Sequence, residues 1–559
     1  MKEKTEKIIG KIARTLAVIA ASFFLLICAV QLYLLTKGGE RIKEEIKSKI
    51  KSGTEGLYTF DAEEIKTSLF GTSIIFTNAT LTADSTKHNE LKTKNEADRR
   101  LYNIKVSRVK IGGINLINFL RHKAFNIQVL KIDNPEIKIT DHPDVPVKED
   151  PKFKFTLYAL FAPGLSSVNI KTIELDNGKF VQFESPGNEN ILLRLENINS
   201  KIYGMVIDST NNEKGDKLFS AEDLELSTGK ILNTFSKGIY HLTISNLFFN
   251  SNDKNLSLVD IELQPQVGKF EFARKFGHEE DRINLVIDSI TVSNLSVIEL
   301  LQSYILKAGK VEIKKMNLHV FRDKRLKLAP VYKRLPQEII RELELPLKID
   351  TLKLFAERIS YEEFPDKGDK EGNLYFTNIN GKIFNISNIR EDNSGNMEIL
   401  ASGYVFGRAR LDAQFSFDTF NENNNFSLSG TLGETDPLIF NEMSVPVAGV
   451  EIKSGKISKM EFSATANSTF SEGTMKLFYE DLKLIIRDQE TDEKKGLPTM
   501  IANLFVIKES NPENGEFREG EMKFERDTRK QITNFCWKTI LSGMKSSIGM
   551  NEELSNEDE

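Results

Sequence analysis

The chain has 559 residues, 40% hydrophobic and 28% charged, with a formal net charge of -5 and an isoelectric point near 6.0. That length suits several domains or one long repetitive one, and the charge balance excludes the basic footprint of a nucleic-acid binder. Two cysteines, Cys28 in an apolar segment and Cys536 near the far end, imply no disulfide framework.

Residues 15–36, TLAVIAASFFLLICAVQLYLLT, carry no charge and follow Lys2, Lys4, Lys7, Lys11 and Arg14. At about 1.5 Å per residue this run reaches across a hydrocarbon core of about 30 Å. The preceding bases place residues 1–14 in the cytoplasm. The expectation is a single-pass anchor with the bulk of the chain on the other side. A cleaved signal peptide is the alternative; a lipoprotein signal at Cys28 fits less well, because Ile27 sits where a small residue belongs. Residues 37–56 read as a stalk helix, with Ile42, Ile46 and Ile50 on one stripe. The stripe either packs on the domain or lies on the membrane.

From 57 to 400 the pattern becomes repetitive β. The stretch FNIQVLKIDNPEIKIT (Phe125–Thr140) alternates at Phe125 and Ile127, slips by one residue, and resumes at Leu130 and Ile132 before Asn134 and Ile137. The same template fits Val168, Ile170, Ile173, Leu175, Asn177 and Phe180, and again Leu285, Ile287, Ile290, Val292, Asn294 and Val297. A fourth copy, Leu347, Ile349, Leu352, Leu354, Ala356 and Ile359, has Ala in the Asn place; weaker copies start at Ile104, Leu242 and Val450. Since a one-residue slip throws later side chains onto the other face, a β-bulge is expected at each slip. Asn then suits a turn, so each copy predicts a bent strand, a turn and a return strand.

Alternation continues through YVFGRARLDAQFSFDTF, KISKMEFSATA and GTMKLFYEDLKLIIRD, punctuated by turn signals. Helical candidates are GINLINFL, FKFTLYALFA, NLSVIELLQSYILKA and VYKRLPQEIIRELE. The fold class is mainly β and antiparallel, with few helices to cover its apolar face. Either the sheet closes on itself as a sandwich or part of the face stays open for an apolar ligand. Strands that take about 13 residues with their turns would number about 36, or about 18 rungs spanning roughly 85 Å. In residues 531–550, Ile532, Cys536, Ile540, Met544 and Ile548 recur every fourth position, widened by Phe535, Trp537 and Leu541. This predicts an amphipathic helix that covers an open sheet edge or lies in a membrane interface. The tail 551–559 is acidic.

No catalytic motif stands out. The histidines His88, His122, His142, His241, His278 and His319 form no metal pair, and HExxH, CxxC, GxSxG and P-loop patterns are absent. DHPD (Asp141–Asp144) could offer metal ligands, but reads as a solvated turn. No metal or cofactor is expected. The basic run FRDKRLKLAPVYKR offers Arg322, Lys324, Arg325 and Lys327, with Lys333 and Arg334, either as a solvated face or as contacts to anionic head groups.

The anchor followed by SLFGTSIIFTNATLTAD and INLINFLRHKAFNIQVLKIDNPEIKIT resembles the N-terminal region of AsmA-like proteins. The region from VPVAGVEIKSGKISKMEFSATANSTFSEGTMKLFYEDLKLIIRD to FREGEMKFERDTRKQITNFCWKTILSGMKSSIG, which takes in most of a C-terminal β region at 401–530, resembles their C-terminal region, especially the Bacteroidetes-type versions. The resemblance covers about half of the chain and rests on apolar patterns punctuated by Gly and Pro. It implies a bacterial inner-membrane protein whose periplasmic body is an elongated, curved, groove-like sheet handling phospholipid for the outer membrane. This chain is shorter than the TamB- and YhdP-like relatives. In that reading the groove is lined by Ile127, Leu130, Ile132, Ile170, Ile173, Leu175, Ile287, Ile290, Val292, Ile349, Leu352 and Leu354. The partners are then phospholipid, the inner membrane and envelope proteins; the alternative is a non-catalytic β scaffold.

Overall fold

The computed structural model describes residues 39–68, 72–115, 121–146, 166–208, 221–297, 300, 305–392, 395–486 and 508–550. The expected anchor, the cytoplasmic segment, the acidic tail and the helical candidate FKFTLYALFA lie outside them, as does most of GINLINFL. Among the described residues no helix is long and apolar enough to cross a membrane. The fold is mainly β. The described residues divide into two compact units, one within Met1–Ile261 and Ser293–Leu306, the other within Glu262–Val292 and Lys307–Glu559.

The first unit opens with α1 (Gly39–Gly53), then β1 (Tyr58–Asp61), β2 (Glu64–Thr67), β3 (Ser73–Ala83), α2 (Ser85–Thr93) and β4 (Arg100–Gly112). It continues with β5 (Ala124–Asp141), β6 (Ser167–Ser185), β7 (Asn188–Asp208), β8 (Asp223–Thr228), β9 (Ile231–Phe235) and β10 (Tyr240–Asn250). Next in the chain come β11 (Asn255–Pro265), α3 (Lys269–Phe276), β12 (Arg282–Ser293), β13 (Leu306–Asp323) and α4 (Pro336–Arg341). The ladder of the second unit is β14 (Leu347–Phe364), β15 (Gly372–Ser387), β16 (Met397–Val405), β17 (Ala409–Phe417), β18 (Phe426–Leu432), β19 (Val450–Ala466), β20 (Phe470–Ile486) and β21 (Gly520–Glu525). Helix α5 (Asn441–Ala448) precedes β19, and α6 (Ile532–Ser547) follows β21.

Two expectations need correcting. The strands are fewer, 21 among the described residues and from 4 to 21 residues long, so the estimate of 36 strands and the length built on it do not carry over. The pairing is not wholly antiparallel either. β5 and β6 pair in parallel with an offset of 43 residues, from Phe125↔Val168 to Thr140↔Phe183, so two copies of the template lie side by side in register. The second unit runs antiparallel without a break through residue 400, where a domain boundary was expected. The segment 306–308 of NLSVIELLQSYILKA is strand, and VYKRLPQEIIRELE keeps only the short α4 as helix.

In the copies starting at Ile104, Phe125, Val168 and Leu347 the slip is not a bulge in one strand, whereas in the copy starting at Val450 the β19–β20 register shifts on both sides of Ser454, as a bulge would make it. No return strand follows Asn134 or Asn177. β5 runs through Asn134 as one strand of 18 residues, and β6 through Asn177 as one of 19. The register of β4 with β5 is unbroken from Gly112↔Val129 to Arg100↔Asp141. That register sets Gln128, in the slip of β5, across from Gly113, which has φ 67°. Conversely Ser107, in the slip of the copy starting at Ile104, lies between Asn134 (φ 50°) and Asn78 (φ 48°) on its two neighbours. Lys171 in β6 faces Gly204 (φ 59°) in the same way, and Asp350 in β14 faces Asn385 (φ 57°). A slip in one strand is thus matched by a left-handed residue in the next. Both strands change faces at the same rung and neither loses register, which a lone extra residue would not allow. A Cβ on Gly113 would run into Gln128, so only glycine fits there.

The asparagines of the template do adopt the left-handed backbone: Asn134, Asn177 and Asn294 have φ of 50°, 54° and 55°. Asn177 Nδ2 donates to Asn134 Oδ1 at 2.7 Å, and the Asn177 amide donates to Asn199 Oδ1 at 2.9 Å. A β-branched side chain pays the left-handed penalty that Asn partly escapes. Asn177→Val should therefore lower stability by about 2 kcal/mol, counting about 1 for the lost hydrogen bonding. Asn177→Gly loses the same side-chain hydrogen bond but not the backbone fit and should cost about half of that; denaturant unfolding of the two variants beside wild type gives the comparison.

Candidate functional site: an apolar sheet face with one helix-capped end in each unit

Residues directly across a ladder share a face, so the register traces rows of side chains. In the first unit one row runs Ile74, Ile111, Leu130, Ile173, Ile202 and Leu224 across β3–β8. A second runs Phe76, Val109, Ile132, Leu175, Ser200, Leu226 and Phe249, ending on β10. At the β3–β5 end the face is closed. The stripe Ile42, Ile46 and Ile50 of α1 is buried with Ile74, Phe76, Ile111, Phe125, Ile127, Leu130, Val168 and Ile170 in a single core cluster. Lys43 reaches Asp61 on β1 at 2.9 Å and fixes the helix beside the strand. Away from α1 the row opens: Leu130 is 1% exposed, whereas Ile173, Ile202 and Leu224 are half-buried.

The second unit repeats this plan in mirror order along the chain. One row runs Leu352, Ile383, Ile399, Phe415, Leu428, Ala464, Gly473 and Met522 across β14–β21. Met522, Ala464 and Leu428 are buried, while Phe415, Ile399, Ile383 and Leu352 are half-buried. The capping element is α6. Phe535 packs edge-on to Phe426, and the Glu521 and Lys523 amides on β21 donate to Ser546 Oγ (2.9 Å) and Ser542 Oγ (3.0 Å). The helix therefore covers the strand edge, using hydroxyls spaced one turn apart as acceptors for amides that lack a further strand.

The face that α6 presents differs from the expected one. The buried positions are Phe535, Thr539, Gly543, Ser547 and Ile548; Ile532, Cys536, Ile540 and Met544 are half-buried, and Trp537 is exposed. The reason is distance. For the serines to reach the edge amides, the helix must come close to β20 and β21, and small residues permit that. A Cβ on Gly543 would meet Met522 Cγ at 2.6 Å and Met475 Cβ at 3.1 Å. The small residues at 539, 543 and 547, spaced like the apolar series, were the overlooked signal. Gly543→Leu should destabilise the second unit by about 1–3 kcal/mol through overpacking. Hydrogen exchange should then show the Glu521 and Lys523 amides losing protection before the rest of the ladder.

The expected groove residues distribute as follows. Ile127, Leu130 and Ile170 belong to the closed core under α1; Ile132 and Ile173 pack at its border, and Leu175 is half-buried beyond it. In the second unit Ile349 pairs with Ile386, Leu352 with Ile383 and Leu354 with Gly381, all on half-buried positions of β14. On β12, Ile287 is buried, while Ile290 and Val292 are half-buried. These sets sit on two units, each with its own face.

The basic run is mostly neutralised internally. Arg322 makes a two-pronged contact to Asp281 at 2.8 and 2.7 Å, Lys324 pairs with Glu363 at 2.7 Å, and Arg334 pairs with Glu342 at 2.7 Å. Arg325 grips Asp323 with two bonds of 2.8 Å and lies over the Phe270 and Phe364 rings. Lys327 is exposed. Hydrogen bonds from Arg325 hold the Asp323 carboxyl below its usual range, against the opposing effect of burial. A depressed carboxylate contributes stability above its unfolded value of about 3.9 and loses it as pH falls through the lower folded value. Arg325→Met should therefore cost about 1–2 kcal/mol at neutral pH, discounted for the exposure of the arginine. It should also move the acid loss of stability to higher pH, as unfolding midpoints between about pH 3 and pH 7 would record.

The DHPD turn is solvated at Pro143 and Asp144 and held down at Asp141 and His142. Asp141 pairs with Arg100 at 2.9 Å, Asp144 with Lys92, and the buried His142 ring lies 4.2 Å from that of His88. His88 is fully buried, with Nε2 hydrogen-bonded to the Asp98 carbonyl at 2.8 Å. Burial, with His88 beside it, lowers the His142 pKa. Among the described residues no group of three or more His, Cys, Asp or Glu is placed to hold a metal. Burial pushes the Cys536 thiol up to about 12, which removes its nucleophilic form at neutral pH.

No family model matches the chain, and no curated protein shows significant similarity to it.

Proposed function

We propose that the chain is a membrane-anchored, non-catalytic protein that binds or conducts phospholipid along the apolar faces of its two units, in the manner of the AsmA-like proteins it resembles. In this reading residues 15–36 hold it in a bacterial inner membrane, and the β units work in the periplasm in outer-membrane biogenesis or lipid homeostasis. The observation that carries the reading is the row Ile111, Leu130, Ile173, Ile202 and Leu224. It leaves the closed core under α1 and continues, uninterrupted by a polar side chain, through the half-buried Ile173, Ile202 and Leu224. Acyl chains need only such a track, because burial is non-directional and gains about 0.8 kcal/mol per CH₂. The half-buried Leu352, Ile383 and Ile399 row offers the same chemistry in the second unit.

The test contrasts closed and open positions of one face. Leu224→Asp and Leu352→Asp place a charge where the track is half-exposed and should leave folded protein that co-purifies with less phospholipid, as mass spectrometry reads. Leu130→Asp buries an unpaired charge in the core and should unfold the first unit, at a cost of several kcal/mol. A photo-crosslinker at position 352 should capture phospholipid in cells. Wild-type protein free of lipid, with no adduct at 352, would reject the track and leave the scaffold reading.

A further inference from the structure

The outer face of the second unit differs sharply from the inner one. Opposite the apolar rows, the rung through Glu398, Ser416, Ser427, Thr465 and Glu472 crosses β16–β20 with only hydroxyls and carboxylates. At this end of the ladder lies a cleft of about 460 Å³, lined by Asn396, Ser416, Asp418, Asn421, Asn425, Phe426, Ser427, Thr465, Ala466, Asn467, Phe470 and Glu472. We propose that this cleft is a binding site for a neutral saccharide, a function separate from the lipid track on the other face.

The lining selects the ligand class by exclusion. It contains no Lys or Arg and two carboxylates, Asp418 and Glu472, so phosphate and anionic head groups are disfavoured. It is too polar for an acyl chain, whose entry would strip water from amides and hydroxyls without replacing their hydrogen bonds. What suits it is a ligand rich in groups that both donate and accept, and sugar hydroxyls have that property. Side-chain amides supply both roles at once. Asn421 and Asn467 spend their oxygens on their own turns, accepting from the Asn423 amide (2.9 Å) and from the Thr469 and Phe470 amides (2.9 and 3.0 Å). Their NH₂ groups remain as donors, and Asn425 is exposed with its whole amide facing no protein partner among the described residues. Phe470, 39% exposed on the cleft, offers an apolar ring surface for the C–H face of a pyranose.

The cleft is also held rigid from beneath. Arg341 on α4 donates to the Thr419 carbonyl (3.0 Å), the Asn421 carbonyl (3.2 Å) and Asn424 Oδ1 (2.8 Å), and the fully buried Gln337 donates to the Asn424 carbonyl at 2.7 Å. Asn424 Nδ2 then reaches Ser468 Oγ at 2.9 Å, tying the β17–β18 loop to the β19–β20 loop. Both walls are thus fixed before any ligand arrives, which lowers the ordering cost of binding.

The full chain, kept in a detergent without a sugar head group, is titrated with chito-, malto-, cello- and manno-tetraose, with inorganic phosphate as the control. Saturation-transfer NMR and calorimetry report binding. At least one tetrasaccharide should bind with Kd of about 1 mM or tighter, and phosphate should not bind. Phe470→Ala and Asn425→Ala, both at exposed positions that leave the fold intact by circular dichroism, should each weaken it by about fivefold to tenfold. Absence of binding for all four sugars at about 10 mM, or binding indifferent to both substitutions, would overturn the proposal.

Discussion

Everything in this fold follows from the two-residue period of the β-strand. A strand of 18 or more residues that must keep one side apolar, while bending, has to slip somewhere, and every slip threatens to turn the apolar set outwards. The protein resolves this by making neighbours slip together. Gln128 faces Gly113, Ser107 faces Asn134, Lys171 faces Gly204 and Asp350 faces Asn385, so one strand's irregular residue is met by its neighbour's left-handed one. The ladders stay in register across these lines, and the row from Ile74 to Leu224 stays apolar throughout.

Given continuous apolar faces, the helices have a limited task. Each unit buries one end of its face under a single amphipathic helix, by different means. Helix α1 brings three isoleucines and fills a core of bulky side chains. Helix α6 brings small residues and comes close enough for Ser542 and Ser546 to satisfy the edge of β21. In both, the rows beyond the helix remain half-buried. An apolar row neither sealed nor broken by a charge is the feature on which the proposed lipid function rests.

Much of this was legible in the sequence. Class, the amphipathic helices at 37–56 and 531–550, the left-handed asparagines and the apolar identity of Leu130, Ile173 and Leu352 followed from periodicity and side-chain chemistry. What was not legible is what lies across from what. The slip in one strand looks the same whether it is a lone bulge or half of a matched pair, and only the partner, Gly113 or Asn385, decides. The parallel alignment of the copies at 125 and 168 was likewise hidden, since the 43-residue offset reads as repetition without revealing adjacency. The docking face of α6 is hidden in the sequence because its apolar periodicity is more conspicuous than Thr539, Gly543 and Ser547, whose value lies in their smallness. The asparagine-lined cleft is assembled from loops far apart in sequence and had no local signature.

The central claim is that one apolar row emerges from a sealed core onto half-buried positions of the same sheet. It is tested most directly by single cysteines at positions 130, 173, 202 and 224 in a Cys28→Ser background, with the rate of maleimide labelling measured at each. With Cys536 also replaced by Ser, the account predicts slow labelling at 130 and faster labelling at 173, 202 and 224. Equal protection at all four positions would mean that the face is closed throughout and would contradict it.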